Sequence, residues 1–328
     1  MAMRLRRAPW LDDVLPVRYA LELGWGCEAG CPSCPAVPQV RGEGAFGAAL
    51  DQALQNLPRG LGVGLGGFPE EVLQPSRSAE LRTLLLTLQK REHPLVIVTQ
   101  GVSPVLEDWL LRQKSGPPVL VVMTFAEPAL EGRGVPPAAE RWAFLKRLKQ
   151  GSARTAVLLQ PWRPGADMQE VLHRVVQHGP EALLWGGLHD GEEGDASRLE
   201  SQIMSRLADL DLPPRLPPET ASLFLSRVDR LVYALLYAWR MEIWRGRERG
   251  AYRRAALSMQ DHDEVLVERF LEQADFSRIR GAGPWIKERL MAWDTGDFHD
   301  FGRLADAVSA YWSSPGDEAV QAVEGSPP

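Results

Sequence analysis

The three cysteines of this 328-residue chain lie within eight consecutive positions, at Cys27, Cys31 and Cys34, and no other residue is a cysteine. Three thiolates on one short loop can bind three corners of a [4Fe–4S] cluster and leave the fourth iron open to a small ligand. An iron with an open position can bind a small ligand and take part in its chemistry. The spacing therefore predicts a reactive iron–sulfur centre.

Other uses of the three cysteines account for the sequence less well. A structural zinc site usually has four protein ligands, and the histidine nearest in sequence is His93. A disulfide framework needs an even number of cysteines and an oxidising compartment. Buried inert thiols remain an alternative, but Gly30 and Pro32 indicate a shaped loop and not a packed strand.

A hydrophobic segment, residues 17–25, comes directly before the cysteines. With this segment, the Cys-x-x-x-Cys-x-x-Cys motif resembles that of the radical S-adenosylmethionine superfamily. The resemblance implies that Cys27, Cys31 and Cys34 bind the cluster and that S-adenosylmethionine chelates the open iron. It also implies reductive cleavage of S-adenosylmethionine to methionine and a 5′-deoxyadenosyl radical, which abstracts hydrogen from a substrate. Ser33 departs from the family pattern, in which an aromatic residue before the third cysteine contacts the adenine.

Short apolar runs alternate with longer segments of helical period up to about residue 190, which predicts repeated βα units. The predicted strands are residues 18–24, 61–67, 95–101, 119–125, 155–160 and 182–187. The predicted helices are residues 47–56, 78–91, 104–113, 137–150 and 168–178. Nearly continuous apolar strands joined by helices indicate a parallel sheet. We therefore expect an α/β fold, and the six units match the partial (β/α)6 TIM-type barrel of the resembled family.

Changes in composition divide the chain into four parts. We assign residues 1–16 to an N-terminal extension, 17–211 to the barrel, 212–315 to an all-helical C-terminal cap domain and 316–328 to a flexible tail. The proline-rich segment Leu212–Pro218 predicts a stiff connector before the helical part. Beyond it, apolar residues recur every three or four positions and predict one face of a long amphipathic helix, at Phe224, Val228, Leu231, Leu235 and Trp239.

The composition excludes several classes of protein. At 45% hydrophobic and 24% charged residues, the chain is typical of a globular protein. Its longest apolar stretch, Leu231–Trp239, is too short to span a bilayer, and the basic N-terminus lacks the apolar core of a signal peptide. We expect a cytoplasmic protein with no membrane partner, which suits an oxygen-sensitive cluster. The net charge of −6 argues against a large nonspecific nucleic-acid surface.

Functional groups of a βα barrel collect at the carboxyl ends of its strands, so the segments after each predicted strand supply candidate cofactor contacts. The segment Gly64–Glu71 resembles the Gly-Gly-Glu motif of the family. We expect contacts to S-adenosylmethionine from Gly66, Gly67, Glu70, Thr99, Thr124, Glu127, Arg133, Gln160 and Trp185. A tight turn is the alternative role for the glycines, and β propensity and a solvated loop charge are the alternatives for Thr124 and Glu127. Trp25, Trp162 and Trp185 are expected at the barrel mouth, to stack a planar group, or in the core.

Two features of the helical part are candidates for substrate contact. One is an arginine-rich segment with two aromatic residues, which phosphates and bases would favour: Arg240, Trp244, Arg245, Arg247, Arg249, Tyr252, Arg253 and Arg254. Its alternative is a solvated helix face, with arginines paired to Glu242 and Glu248. The other is Ile279–Lys287, which resembles a helix-hairpin-helix turn. An ordinary interhelical turn with Pro284 at the first helical position explains it equally well.

Residues 66–78, 93–100 and 159–165 resemble the spore photoproduct lyase subfamily and related DNA-repair photolyase-like proteins. Enzymes of that type commonly relay a hydrogen atom through a further cysteine. Because this chain has none, Tyr233, Tyr237 and Tyr252 are the candidate relay residues. The resemblance also implies an electron donor such as flavodoxin or ferredoxin. The expected substrate is a nucleic acid or nucleotide, and the alternatives are a peptide or small metabolite, or a non-catalytic iron–sulfur redox or scaffold protein.

Overall fold

The computed structural model describes residues 3–7, 15–32, 46–66, 71–113, 115–162, 166–185, 200, 203–204, 207, 215–247 and 250–313, with side chains as far as residue 308. The chain forms two compact units, Met1–Glu192 and Glu193–Pro328, which we call the sheet unit and the helical unit. The division falls earlier in the chain than the proline-rich connector predicted at residues 212–218.

The sheet unit is built on a seven-stranded sheet in which the strands lie side by side in sequence order. The strands are β1 (Arg4–Arg7), β2 (Tyr19–Glu22), β3 (Val63–Gly66), β4 (Leu95–Thr99), β5 (Val119–Phe125), β6 (Arg154–Leu159) and β7 (Leu183–Trp185). β1 pairs with β2 antiparallel, and each later neighbouring pair is parallel. The predicted α/β fold with a partial barrel is confirmed.

The helices of the sheet unit connect its parallel strands. They are α1 (Phe46–Leu54), α2 (Ser78–Lys90), α3 (Pro104–Arg112), α4 (Ala138–Gln150) and α5 (Gln169–His178). Each helix begins within one residue of its predicted start, because the apolar period and the Ser103 and Pro104 start signals are local properties of the chain.

The antiparallel strand β1 lies within the residues that we assigned to an extension, and Leu5 is the one apolar residue of its four. Its backbone pairs with β2, and Arg4 and Arg6 also form ion pairs with Glu22 of β2 at 3.1 and 2.8 Å. Charged residues on an edge strand also disfavour pairing with another chain.

Sequential strand order decides which face of the sheet carries the helices. Right-handed crossovers between strands taken in sequence order place every helix on the same face, and neighbouring helices of this layer contact one another. The Phe125 ring stacks on Trp142 of α4 at 4.2 Å, which identifies the helix face. The strand registers place Ala20, Gly64 and Thr124 on the opposite, concave face.

The described elements of the helical unit are all helices. They are α6 (Pro218–Ala221), α7 (Arg227–Trp244), α8 (Gly250–Asp261), α9 (Glu264–Glu272), α10 (Pro284–Asp294) and α11 (His299–Ser313). α7 lies at the centre, since each of the other five helices packs on it. Ser226 caps α7 by accepting the Asp229 N–H at 3.2 Å, so Phe224 lies in a 3-10 turn before the helix and not in it.

A shared carboxylate joins α7 to the end of α10. Asp294 accepts two hydrogen bonds from the Arg227 guanidinium, at 2.7 and 2.6 Å, and Arg230 donates to the Asp294 carbonyl at 3.0 Å. None of the helices that the structure describes has the length and apolarity needed to span a bilayer.

Candidate functional site

The segment after β2, residues 23–32, carries Cys27 and Cys31 and is called the cysteine loop. Gly24, Gly26 and Gly30 have φ values of 71°, 68° and 64°, which side chains other than glycine rarely adopt. The glycines therefore give the loop its shape, as the sequence indicated. Both described cysteines are half-buried, whereas Cys34 and Ser33 lie outside the described residues.

One side of the cysteine loop is held by residues 71–77, which we call the Glu71 loop. The Gly26 carbonyl accepts two hydrogen bonds, from the Glu71 N–H at 3.3 Å and from Gln74 Nε2 at 3.1 Å. The Gln74 side-chain oxygen accepts the N–H of Glu28 at 3.1 Å. Gln74 is buried, so these bonds fix the backbone on both sides of Cys27.

The other side of the cysteine loop is held by residues 131–137, which we call the Gly132 loop. The Gly134 N–H donates to the Ala29 carbonyl at 2.9 Å. A Cβ atom on Gly132 would lie 2.0 Å from the Ala29 oxygen and 2.6 Å from the Cys31 nitrogen. A Cβ atom on Gly134 would lie 2.6 Å from the Glu28 oxygen. The two glycines allow an approach of backbone to backbone that a side chain would prevent.

A buried arginine on α4 supports the Gly132 loop. The Arg141 side chain is fully buried, donates to the Thr124 carbonyl at 2.8 Å and also donates to the Glu131 carboxylate. Its guanidinium lies 4.5 Å from the centre of the Phe125 ring. Arg141 therefore joins the end of β5 to the loop that contacts the cysteines.

Glu71 has a buried carboxyl group at the ends of β3 and β4. Its Oε1 accepts the Leu73 N–H at 2.8 Å and the Thr99 hydroxyl at 2.5 Å, and its Oε2 accepts the Gln100 N–H at 2.8 Å. Burial raises the pKa of Glu71, while the donors of Thr99, Leu73 and Gln100 act in the opposite direction by stabilising the carboxylate. The neighbouring Glu70, which we predicted as a cofactor contact, lies outside the described residues together with Gly67.

Gln100 brings the end of β4 to the cysteine loop. Its side-chain oxygen lies 3.8 Å from Cys31 Sγ, a hydrogen-bonding distance for a thiol. Thr99, the residue that we predicted from this segment, pairs in register with Met123 on the helix face. Its hydroxyl donates to Glu71 and accepts the Gly101 N–H at 2.8 Å. Gln100, and not Thr99, is the side chain of this segment that reaches a cysteine.

The remaining predicted cofactor residues divide between the two faces. Gly66 and Thr124 lie on the concave face, and Gln160 is half-buried just after β6. Trp185 pairs with Leu159 on the helix face and is buried there.

Two predicted residues lie in the segment after β5. Glu127 is buried, not a solvated loop charge, and Arg133 is exposed in the Gly132 loop.

The other two tryptophans expected at the barrel mouth are buried. Trp25 lies 5.7 Å from Phe46 between ring centres. Trp162 donates its indole N–H to the Phe125 carbonyl at 2.9 Å, so it is held against β5. These contacts agree with the core role that we kept as the alternative for both residues.

The three candidate relay tyrosines are buried within the helical unit. Tyr233 donates its hydroxyl to the Leu216 carbonyl at 2.8 Å, and the Tyr237 ring meets Phe301 edge-on. Burial raises the pKa of both Tyr233 and Tyr237, so these phenols are held neutral. The structure leaves the relay role of Tyr233, Tyr237 and Tyr252 a prediction.

The arginine-rich segment forms the end of α7 and the start of α8. Arg240 and Arg253 lie 5.0 and 5.1 Å from the centre of the Trp239 ring, and Arg245 pairs with Glu242 at 3.7 Å. Arg247, Arg253 and Arg254 are exposed, while Glu248 and Arg249 lie outside the described residues.

Packing accounts for the first glycine of the helix-hairpin-helix-like turn. Gly281 has a φ of 90°, and a Cβ there would lie 2.8 Å from the Ala251 carbonyl oxygen. Gly283 and Pro284 begin α10, as an ordinary interhelical turn requires.

Within the described ranges, no three His, Cys, Asp or Glu side chains are grouped to hold a metal ion. Cys34, the third predicted ligand, is not among those residues. The thiol groups of Cys27 and Cys31 are nevertheless the donor type that iron–sulfur clusters use, on a loop that is fixed from two sides. The described part of the site therefore fits the predicted cluster.

No protein-family model matches the chain, and no curated protein does so either. Among solved structures, SuiB of Streptococcus suis, bound to S-adenosylmethionine, is similar with a TM-score of 0.40 and 14% sequence identity. The similarity covers 58% of this chain and 44% of the SuiB chain, so this chain matches less than half of that protein. A likeness at this level identifies neither a family nor a substrate.

Proposed function

We propose that the chain is a radical S-adenosylmethionine enzyme in which Cys27, Cys31 and Cys34 hold a [4Fe–4S] cluster. When bound, the cluster would supply the electron for cleaving S-adenosylmethionine to methionine and a 5′-deoxyadenosyl radical, which abstracts hydrogen from a substrate. The observation that carries the proposal is the cysteine loop, which follows the first parallel strand and is fixed by the two strand-end loops beside it.

The chain's own residues would position both partners of this reaction. The Glu71 loop and the Gly132 loop fix the backbone around Cys27 and Cys31, which would orient these two thiols for a cluster. On the concave face, Thr124 offers a hydroxyl next to the carboxyl end of β5. Gly66, Gly67, Glu70, Glu127, Arg133 and Gln160 remain proposed contacts to S-adenosylmethionine.

Anaerobic reconstitution tests the proposal directly. Purified protein would be treated with iron and sulfide, then with dithionite and S-adenosylmethionine, and 5′-deoxyadenosine would be quantified by chromatography. The Cys31→Ala variant should lose deoxyadenosine formation, and Thr83→Ala on the exposed face of α2 should retain it. A cluster that forms but never cleaves S-adenosylmethionine would favour the non-catalytic redox or scaffold alternative. Full activity in Cys31→Ala would refute the role of the cysteines.

For the substrate we propose a nucleic acid or nucleotide, on the strength of the arginines around Trp239. Arg240 and Arg253 both lie against this indole, and Arg253 and Arg254 are exposed on α8. Guanidinium groups next to an aromatic ring can contact phosphates while the ring stacks on a base. The paired Arg245 does not contribute to this surface to the same degree.

Binding at several salt concentrations separates this substrate class from the others. Retention of single-stranded DNA and RNA should fall with salt, and Arg253→Gln with Arg254→Gln should reduce the slope of log affinity against log salt by about 1 to 2. The matched control replaces the exposed Arg82 and Arg303 with glutamine and should leave the slope unchanged. No retention at low salt would refute the nucleic-acid hypothesis and favour the peptide or small-metabolite alternative. Deoxyadenosine formation with each substrate class added then identifies the substrate.

A further inference from the structure

The Glu71 carboxyl group faces hydrogen-bond donors at both of its oxygens. The backbone N–H groups of Leu73 and Gln100 can only donate a hydrogen bond. The Thr99 hydroxyl accepts from the Gly101 N–H, so its own hydrogen is directed to Glu71. The site is therefore built for a carboxylate. A glutamine in its place would set its NH2 group against the Leu73 N–H in one orientation and against the Gln100 N–H in the other.

Gln100 connects this carboxylate to a cysteine. Its backbone N–H is held by Glu71 Oε2 at 2.8 Å, and its side-chain oxygen lies 3.8 Å from Cys31 Sγ. Glu71 also donates its own N–H to the Gly26 carbonyl, next to Cys27. Glu71 thus contacts both the backbone of the cysteine loop and the residue that touches the Cys31 thiol.

We infer that Glu71 and Gln100 are positioning residues for Cys31. Glu71 fixes the end of β4, and Gln100 then restrains the Cys31 sulfur through its side-chain amide. The inference deepens the proposed function, because a cluster ligated by Cys31 would receive a hydrogen bond from the amide NH2 once the sulfur is deprotonated and the amide has turned over. The geometry of the thiol itself does not depend on a cluster being bound.

The first test uses the protein without metal. Alkylation of Cys31 by iodoacetamide would be followed by mass spectrometry, with Cys27 in the same molecule as the internal reference. Loss of a hydrogen bond worth about 1 kcal/mol corresponds to a change of about fivefold, so Gln100→Leu and Glu71→Gln should each raise the Cys31 to Cys27 rate ratio by about two- to tenfold. The controls Gln52→Leu and Glu107→Gln change exposed and half-buried groups elsewhere and should leave the ratio unchanged.

Gln100→Leu keeps the test decisive if Glu71→Gln fails to fold, because among the described residues the Gln100 side chain forms its hydrogen bond with Cys31 alone. An unchanged ratio in Gln100→Leu overturns the inference. A changed ratio in Gln100→Leu and an unchanged one in a folded Glu71→Gln overturns the part assigned to Glu71.

A second measurement uses the reconstituted protein and reads the reduction potential of the cluster by electron paramagnetic resonance. Hydrogen bonds to the sulfur ligands stabilise the reduced, more negative cluster. Gln100→Leu should therefore shift the potential to a more negative value, and an unshifted potential would contradict the inference. If wild-type protein takes up no cluster, the proposed function fails, while the alkylation ratio still decides the positioning of Cys31. The two failures are thereby distinguished.

Discussion

The contact between the Gly132 loop and the cysteine loop can be broken by adding a single methyl group. In Gly132→Ala, the new Cβ would lie 2.0 Å from the Ala29 carbonyl oxygen and 2.6 Å from the Cys31 nitrogen. Both neighbours are backbone atoms, so no flexible side chain can move aside. One of the two loops must shift by more than 1 Å to restore ordinary contact, which begins at about 3.4 Å.

The size of the effect follows from this displacement. A forced insertion into packed structure typically costs about 1–3 kcal/mol. A shift of this size also breaks the 2.9 Å bond from the Gly134 N–H to the Ala29 carbonyl, which contributes about 1 kcal/mol. We expect Gly132→Ala to lose about 2–4 kcal/mol in the free energy of unfolding, or roughly 4–16 °C in the melting temperature of the sheet unit.

The assay combines thermal unfolding of the metal-free protein with iron content after anaerobic reconstitution. Gly132→Ala should lower both, because the displaced loop carries the Cys31 backbone with it. The matched control is Gly47→Ala, since no heavy atom lies within 4 Å of its new Cβ in α1. Alanine is the better helix former, and this control should be unchanged or up to about 1 kcal/mol more stable.

A Gly132→Ala protein with the melting temperature and iron content of the wild type would contradict this prediction. That outcome would mean that the close approach is not needed, and that the Gly132 loop does not hold the cysteines. A lowered melting temperature with full iron content would refute only the connection between this loop and cluster binding.

Three further predictions concern contacts within the sheet unit and within the helical unit. Arg141→Met should lower the free energy of unfolding, measured by chemical denaturation, by about 3–5 kcal/mol, because it leaves the Glu131 carboxylate without its buried partner. Arg147→Met breaks the more exposed pair with Glu107 and should lower it by less than about 1 kcal/mol. Equal losses would contradict the role given to Arg141. Hydrogen bonds from the Arg227 guanidinium lower the pKa of Asp294 below its ordinary value of 3.8. The stability that this carboxylate contributes is therefore fully present above pH 3.8 and is lost as the pH falls through the lower pKa of the folded state. Asp294→Asn should thus cost about 1 kcal/mol at pH 7 and progressively less below about pH 4, measured by urea unfolding at several pH values, and a pH-independent difference would count against the ion pair. Gly281→Ala should destabilise the helical unit by about 1–3 kcal/mol, because Gly281 has a φ of 90° and a new Cβ would contact the Ala251 carbonyl. Gly283→Ala has open space around its new Cβ and should not destabilise the unit. Thermal melts followed by circular dichroism compare the two variants.

Much of the fold could be predicted because its signals are local. The start of α3 follows from Ser103 and Pro104, and β5 was predicted with its observed bounds, Val119–Phe125. Apolar period and start residues act within one or two turns, so a single sequence contains them. β1 was missed because its four residues, Arg-Leu-Arg-Arg, are too few to show a strand period, and its ion pairs to Glu22 are made across the sheet.

The candidate site shows the same division. The cysteine spacing and the glycines of the cysteine loop are properties of one short segment, and they were sufficient to predict where the site lies. These local signals were not sufficient to decide between Thr99 and Gln100, because that choice depends on the strand register, which turns Thr99 to the helix face.

The alternation of strands and helices, the helical C-terminal part and the cysteine motif follow from the amino-acid sequence alone. The hydrogen bond from the end of β4 to Glu71, and the approach of Gly132 and Gly134 to the cysteine loop, arise only in the folded chain. The cause of this difference is distance along the chain. These contacts join residues that are far apart in sequence and meet because sequential parallel strands bring their carboxyl ends to one edge of the sheet.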